Sequence, residues 1–145
     1  MAKFVFEIIK IGFDGSPLKE VVALSGIIFE PDDEVVVIPS EYNGMPVTHI
    51  GYKQDVIPAH EAFRDWHHPS GDCGEYVETE YKTGPCDRID FPPSVKRLVF
   101  PATADEISTV LWYGIPGVDY EMNPDNKRYA IQDNKITYRL LVKKG

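Results

Sequence analysis

Three times in this chain a short β-rich run ends in an apolar residue followed by proline: Val37-Ile38-Pro39, Asp90-Phe91-Pro92 and Val99-Phe100-Pro101. Proline has no N–H to give to a sheet ladder, so it stops each strand and turns the chain. A recurring strand-and-turn unit is how a solenoid stacks its sheet, each copy covering the face of the next. This punctuation predicts many short strands.

The amino-terminal third reads the same way. Phe4 to Ile11 is rich in β-branched and aromatic residues. The segment Gly12-Phe13-Asp14-Gly15-Ser16-Pro17 breaks it with turn chemistry. Val21 to Leu24, Gly26 to Phe29 and Glu34 to Ile38 follow as further extended pieces, with Pro31-Asp32-Asp33 between the last two. Asn43-Gly44 is a tight-turn signal, because both residues tolerate positive φ. Met45 to Ile50 is another short strand.

From Gly51 to about Asp87 the apolar periodicity fades, interrupted by Pro58, Pro69, Gly71, Gly74, Gly84 and Pro85. Ala59, Ala62, Phe63 and Trp66 have helical spacing, so one short helix is expected there. The rest reads as an inserted loop. Order returns with Ile89 to Phe91 and Leu98 to Phe100. Thr103-Ala104-Asp105-Glu106 fits a capping box that would open a second helix carrying Ile107, Val110 and Leu111. Gly117 to Met122 is extended, and Tyr129 to Gln132 pairs with Lys135 to Leu141 around Asp133-Asn134.

Composition narrows the partner classes. The chain has 145 residues, 43% of them hydrophobic, which suffices for one domain with a real core. Its net charge of −8 opposes binding to phosphate backbones and anionic membranes, and no basic patch offsets it. No stretch reaches the roughly 18 apolar residues of a spanning helix, so membrane insertion is not expected. Phe4 to Ile11 is interrupted by Glu7 and Lys10 and makes a poor secretory leader, so a cytoplasmic location is expected. Cys73 and Cys86 do not make a disulfide framework.

The window Val36-Val37-Ile38-Pro39-Ser40-Glu41-Tyr42-Asn43-Gly44-Met45-Pro46-Val47-Thr48-His49-Ile50-Gly51 resembles the opening unit of the BspA-type leucine-rich repeats, which runs IPS, a turn, then G-x-PVT-x-IG. Ala62-Phe63 resembles the AF pair that follows. Ile89 to Val95 resembles the next unit, I-x-IP-x-SV, and Val118 to Tyr138 resembles the hairpin unit V-x-x-x-NP-x-Y... G-V-L-Y. The chain departs from the pattern in four ways, the first being that Leu is scarce and Ile, Val and Phe take most of its apolar positions. A ten-residue spacer, Tyr52 to Glu61, stands where the family has two residues; a long loop precedes Ile89; and Lys135 stands where Gly is usual. The resemblance implies a mainly β fold with one or two short helices, as a short right-handed solenoid. It implies residues 1–33 as an N-terminal β cap on one domain, and residues 34–141 as degenerate repeats with an insertion at about 52–87. It also implies a role in binding, with another protein as partner.

The insertion carries the sharpest chemical alternative. His60, His67, His68, Cys73 and Cys86 offer zinc-ligand types. Their spacing matches no zinc finger, and the competing reading is a loop with surface histidines and unlinked thiols. Ser70, His68 and Asp72 lack a nucleophile-elbow pattern. Glu75, Glu78 and Glu80 alternate like a solvated strand face and lack calcium-loop spacing. Gly12, Gly15 and Gly26 form no phosphate-binding fingerprint. Catalysis and a bound cofactor are therefore not expected. Trp66, Trp112 and Tyr113 are the candidate recognition surface, because aromatics are enriched at interfaces. Core packing is the competing reason for a tryptophan.

Overall fold

The computed structural model describes residues 1–12, 18–58 and 79–141. The chain is mainly β. Its strands are β1 (Lys3–Ile11), β2 (Lys19–Ile28), β3 (Val35–Val37), β4 (Glu41–Tyr42), β5 (Met45–Ile50), β6 (Tyr52–Pro58), β7 (Thr79–Pro85), β8 (Arg97–Phe100), β9 (Glu106–Ile107), β10 (Asp119–Met122), β11 (Tyr129–Gln132) and β12 (Lys135–Tyr138). One short helix, α1 (Thr109–Trp112), and a single 3-10 turn, Arg139–Leu141, complete the described residues.

Two parallel strand sets organise the chain. In one, β2 pairs with β5 and β5 pairs with β9. In the other, β3 pairs with β8 and β8 pairs with β10. The backbone alternates between them in the order β2, β3, β5, β8, β9, β10. Antiparallel additions close the flanks. β1 lies along the outer edge of β2, β4 forms a tight hairpin with β5, β6 pairs with β7, and β11 pairs with β12.

The core lies between the parallel sets. Val22 and Leu24 of β2, Val47 and Ile50 of β5 and Ile107 of β9 share one cluster with Val36, Leu98, Phe100 and Tyr120 of the other set. All are buried, Leu24 and Leu98 completely. Full burial of such a side chain is worth about 1.5–3 kcal/mol each, so these few rows carry most of the drive to fold. Both faces of β2 are covered, because Val21 and Ala23 pack with Ile9 and Tyr52 on the side opposite Val22 and Leu24. That is why Val21-Val22-Ala23-Leu24 is a continuous apolar run rather than an alternating one.

Turn chemistry sits where the sequence places it. Asn43 and Gly44 both have positive φ, 51° and 78°, and join β4 to β5. Asp133 and Asn134, at 53° and 59°, do the same for β11 and β12. Gly51 has φ 83°, and a Cβ there would collide with Ser108 Oγ. The glycine therefore lets the end of β5 pass directly beneath the start of α1.

Four expectations change. The two pieces Val21 to Leu24 and Gly26 to Phe29 are one strand, bulged at Ser25, where the register with β1 shifts between Val5 and Phe6. The capping box does not form. Glu106 and Ile107 pair with His49 and Ile50 as β9, and Thr103 Oγ1 donates instead to the carbonyls of Val47 (2.7 Å) and Ser40 (3.2 Å). Sheet pairing and these longer-range bonds outcompete a local cap, and the helix starts only at Thr109. Ile89 to Phe91 is not a strand. Ile89 is buried, and Phe91 packs against Phe29 at 4.9 Å between ring centres. Within the insertion, Tyr52–Pro58 and Thr79–Pro85 are paired strands rather than loop. The expected helix at Ala59 to Trp66 lies outside the described residues.

Candidate interaction surface

The outward face of the β3-β8-β10 sheet is set by the pleat. Successive side chains alternate, so Val36, Leu98 and Tyr120 point to the core and their neighbours point out. Register aligns the outward residues in two rows. Val35, Arg97 and Asp119 lie side by side, as do Val37, Val99 and Glu121. Val35 and Val37 are 51% and 57% exposed, an unusual state for adjacent β-branched residues on one edge. The first row passes from apolar to cationic to acidic and the second from apolar to acidic, with Arg97 Nε 3.9 Å from Glu121 Oε2. Both partners of that pair are more than half exposed, so it orients the face and adds little stability.

A second cluster covers the end of the core. Trp112 packs edge-on against Tyr129, with 5.6 Å between ring centres, and lies 5.7 Å from Tyr138. The Tyr129 hydroxyl donates to the Asp105 carbonyl at 2.9 Å, and burial pushes its pKa up to about 12, with Glu106 adding to the shift and Arg128 opposing it. Arg128 reaches Asp105 at 3.2 Å and Glu106 at 3.5 Å, and lies over the Tyr129 ring. His49, 8% exposed, sits beside Glu106 in register and edge-on to Tyr52. Burial lowers its pKa, against the raising influence of Glu106 and Asp105.

The residues singled out from sequence separate in space. Trp112 is half-buried against the core and serves as a lid on the β11–β12 hairpin. Tyr113, the next residue, is 68% exposed. Trp66 lies outside the described residues, as do His60, His67, His68 and Cys73. Cys86 is a buried thiol that donates to the Asp87 carbonyl at 3.2 Å, and burial raises its pKa, which holds it protonated. Among the described residues the one grouping with metal-ligand reach is Glu30, Asp32 and Asp33, where the amino terminus already sits 2.8 Å from Glu30 and 3.6 Å from Asp33.

Sequence reasoning missed the outward rows of the parallel sheet. The alternation that marks them is visible in Arg97-Leu98-Val99-Phe100 and Asp119-Tyr120-Glu121-Met122. It is invisible in Val35-Val36-Val37, where every residue is valine and only pairing decides which side is wet. A shallow depression walled by Arg88, Asp90, Phe91, Val110 and Ile115 holds an exposed ion pair, and its lining has no Ser, Cys or His. No described helix is long and apolar enough to cross a membrane. No protein-family model, curated protein or solved structure matches the chain.

Proposed function

We propose that this chain is a short, degenerate solenoid of the BspA-type leucine-rich repeat kind, right-handed, with residues 1–33 as its N-terminal β cap, and that it binds another protein. The observation that carries the reading is the strict alternation of the backbone between two parallel strand sets. Equivalent strands then stack directly, as with Val36 beside Leu98 beside Tyr120. The repeat-like window from Val36 to Gly51 supplies β3, the β4–β5 hairpin and the Gly51 passage beneath α1, so the resemblance and the topology fall on the same residues.

The binding face in this reading is the outward side of β3, β8 and β10. Val35, Val37 and Val99 form its apolar side, on β3 and β8, and Arg97 and Glu121 form its charged side. Exposed apolar residues flanked by charged ones offer a partner both burial and orientation. The test places a photo-crosslinking residue at Val37 and, separately, at Tyr113, and exposes both proteins to lysate of the source cell. The expected result is a discrete adduct from position 37 that is lost in the Val35→Lys and Glu121→Lys backgrounds. An adduct from position 113 alone moves the binding face to the aromatic end. No adduct from either site removes the binding reading.

A further inference from the structure

We propose that β1 is a homodimerisation edge: it pairs antiparallel with β1 of a second copy, centred on Val5, and joins two five-stranded sheets into one. The argument starts from which backbone groups face outward. Lys10 gives its N–H to Gln54 Oε1 at 2.9 Å and its carbonyl accepts from Gln54 Nε2 at 2.6 Å, so the Lys10 peptide groups point away from β2. Backbone direction alternates along a strand, as side chains do. The Val5 carbonyl faces β2, where it accepts from Ser25 Oγ. Phe4, Phe6 and Ile8 therefore present their N–H and carbonyl groups on the outer edge. Among the described residues no strand pairs with that edge, and Gln54 closes it only at Lys10.

Such an edge is a template for another strand. The side chains identify the occupant. On the face away from the main core β1 shows Lys3, Val5 and Glu7, and Val5 is 41% exposed. Among the described residues neither Lys3 nor Glu7 belongs to an ion pair. A two-fold axis through Val5 sets Lys3 of each copy opposite Glu7 of the other and stacks Val5 on Val5. In the same register Phe4 stands opposite Phe6, and both have outward-pointing peptide groups. They can therefore exchange hydrogen bonds, and the charged pairs fall at the closer, non-hydrogen-bonded positions. Backbone direction and side-chain charge thus select one register independently. Because Phe4 and Phe6 pack on the core side in each copy, the two cores end on the same side of the joined sheet.

The test is sedimentation of the full chain across concentration, with Lys3→Glu, Glu7→Lys and the double exchange. Wild type is expected to dimerise. Each single exchange sets like charges opposite each other twice and is expected to weaken the dimer about tenfold or more. The double exchange restores complementarity and is expected to return to within about threefold of wild type. Amide exchange supplies the register, with concentration-dependent protection at Phe4 and Phe6. Lys3 is exposed and Glu7 half-buried, and circular dichroism confirms that the variants fold. A monomer at high micromolar concentration, or a dimer indifferent to the single exchanges, overturns the proposal.

Discussion

The two ends of the molecule treat their last strands differently. At the carboxyl-terminal end the edge of β10 is sealed by a side chain. Asn134 accepts from the Tyr120 N–H at 2.7 Å and donates to the Val118 carbonyl at 2.7 Å, so one carboxamide imitates the next strand. Behind it Asn126, 1% exposed, donates to the carbonyls of Pro101 and Ala104 and accepts from the N–H groups of Arg128 and Tyr129. Arg139 adds bonds to the carbonyls of Asn126 and Tyr129. At the amino-terminal end no described strand pairs with the outer edge of β1, and β3 leaves Val35 and Val37 exposed. The difference separates an end closed by side-chain amides from an edge that no described strand covers. Sealing needs polar side chains of fixed reach, and an open edge needs only their absence among its neighbours.

That contrast can be broken from the sealed side first. Asn126→Ala removes four bonds from a buried site and leaves donors and acceptors without partners. The expected loss is about 3 kcal/mol of stability, read as a lower urea midpoint. An unchanged midpoint would mean that the turn following Pro124 holds itself. Asn134→Gly keeps the left-handed backbone at that position while deleting both edge bonds, so it isolates the seal from the turn. We expect a loss of about 1–2 kcal/mol, with faster amide exchange at Tyr120. Exchange at Tyr120 as slow as in wild type would show that β10 does not depend on the carboxamide.

Tyr120→Phe deletes the bond from the phenol to the Leu111 carbonyl, 2.7 Å long and buried, and tests how far α1 is tied to the sealed end. About 1 kcal/mol is expected, and a neutral result would assign Tyr120 to packing alone. His49 gives a subtler effect. Its folded pKa lies below the ordinary 6.5, so the neutral ring is preferred in the fold. Its contribution is complete above the unfolded value and is lost as pH falls from about 6.5 through the lower folded value. The melting temperature should fall from pH 7.5 to 5.5, and His49→Gln should flatten that slope; an unaltered slope would assign it to other groups. The smallest effect belongs to the open end. Lys3→Glu should change the intrinsic stability of the monomer by less than about 0.5 kcal/mol, because an exposed charge without a partner contributes little. A larger loss from Lys3→Glu would mean that the amino-terminal edge is already engaged within the chain.

Residues with local chemistry were readable without coordinates. Asn43-Gly44 and Asp133-Asn134 specify their turns because positive φ is a property of those residues themselves. Pro39 and Pro101 mark the ends of β3 and β8 because a missing N–H acts wherever the residue stands. The candidate surface was less accessible. Trp112 and Tyr113 are adjacent aromatics, yet one closes the core and the other meets solvent. Thr103 and Glu106 satisfy a local helix signature that distant strands override.

The sequence by itself determined a chain of short strands, their turns and the acidic, core-forming character of the protein. These follow from backbone preferences and composition, which act residue by residue. Only the tertiary structure decided which valines of β3 face water, that Glu106 and Ile107 join a sheet, and that Asn126 and Asn134 close one end while no described strand covers the outer edge of β1. Each of those outcomes depends on strand register, and register is fixed by partners far along the chain. A one-residue slip would turn Val35 and Val37 inward and put Val36 in solvent without changing a single local preference.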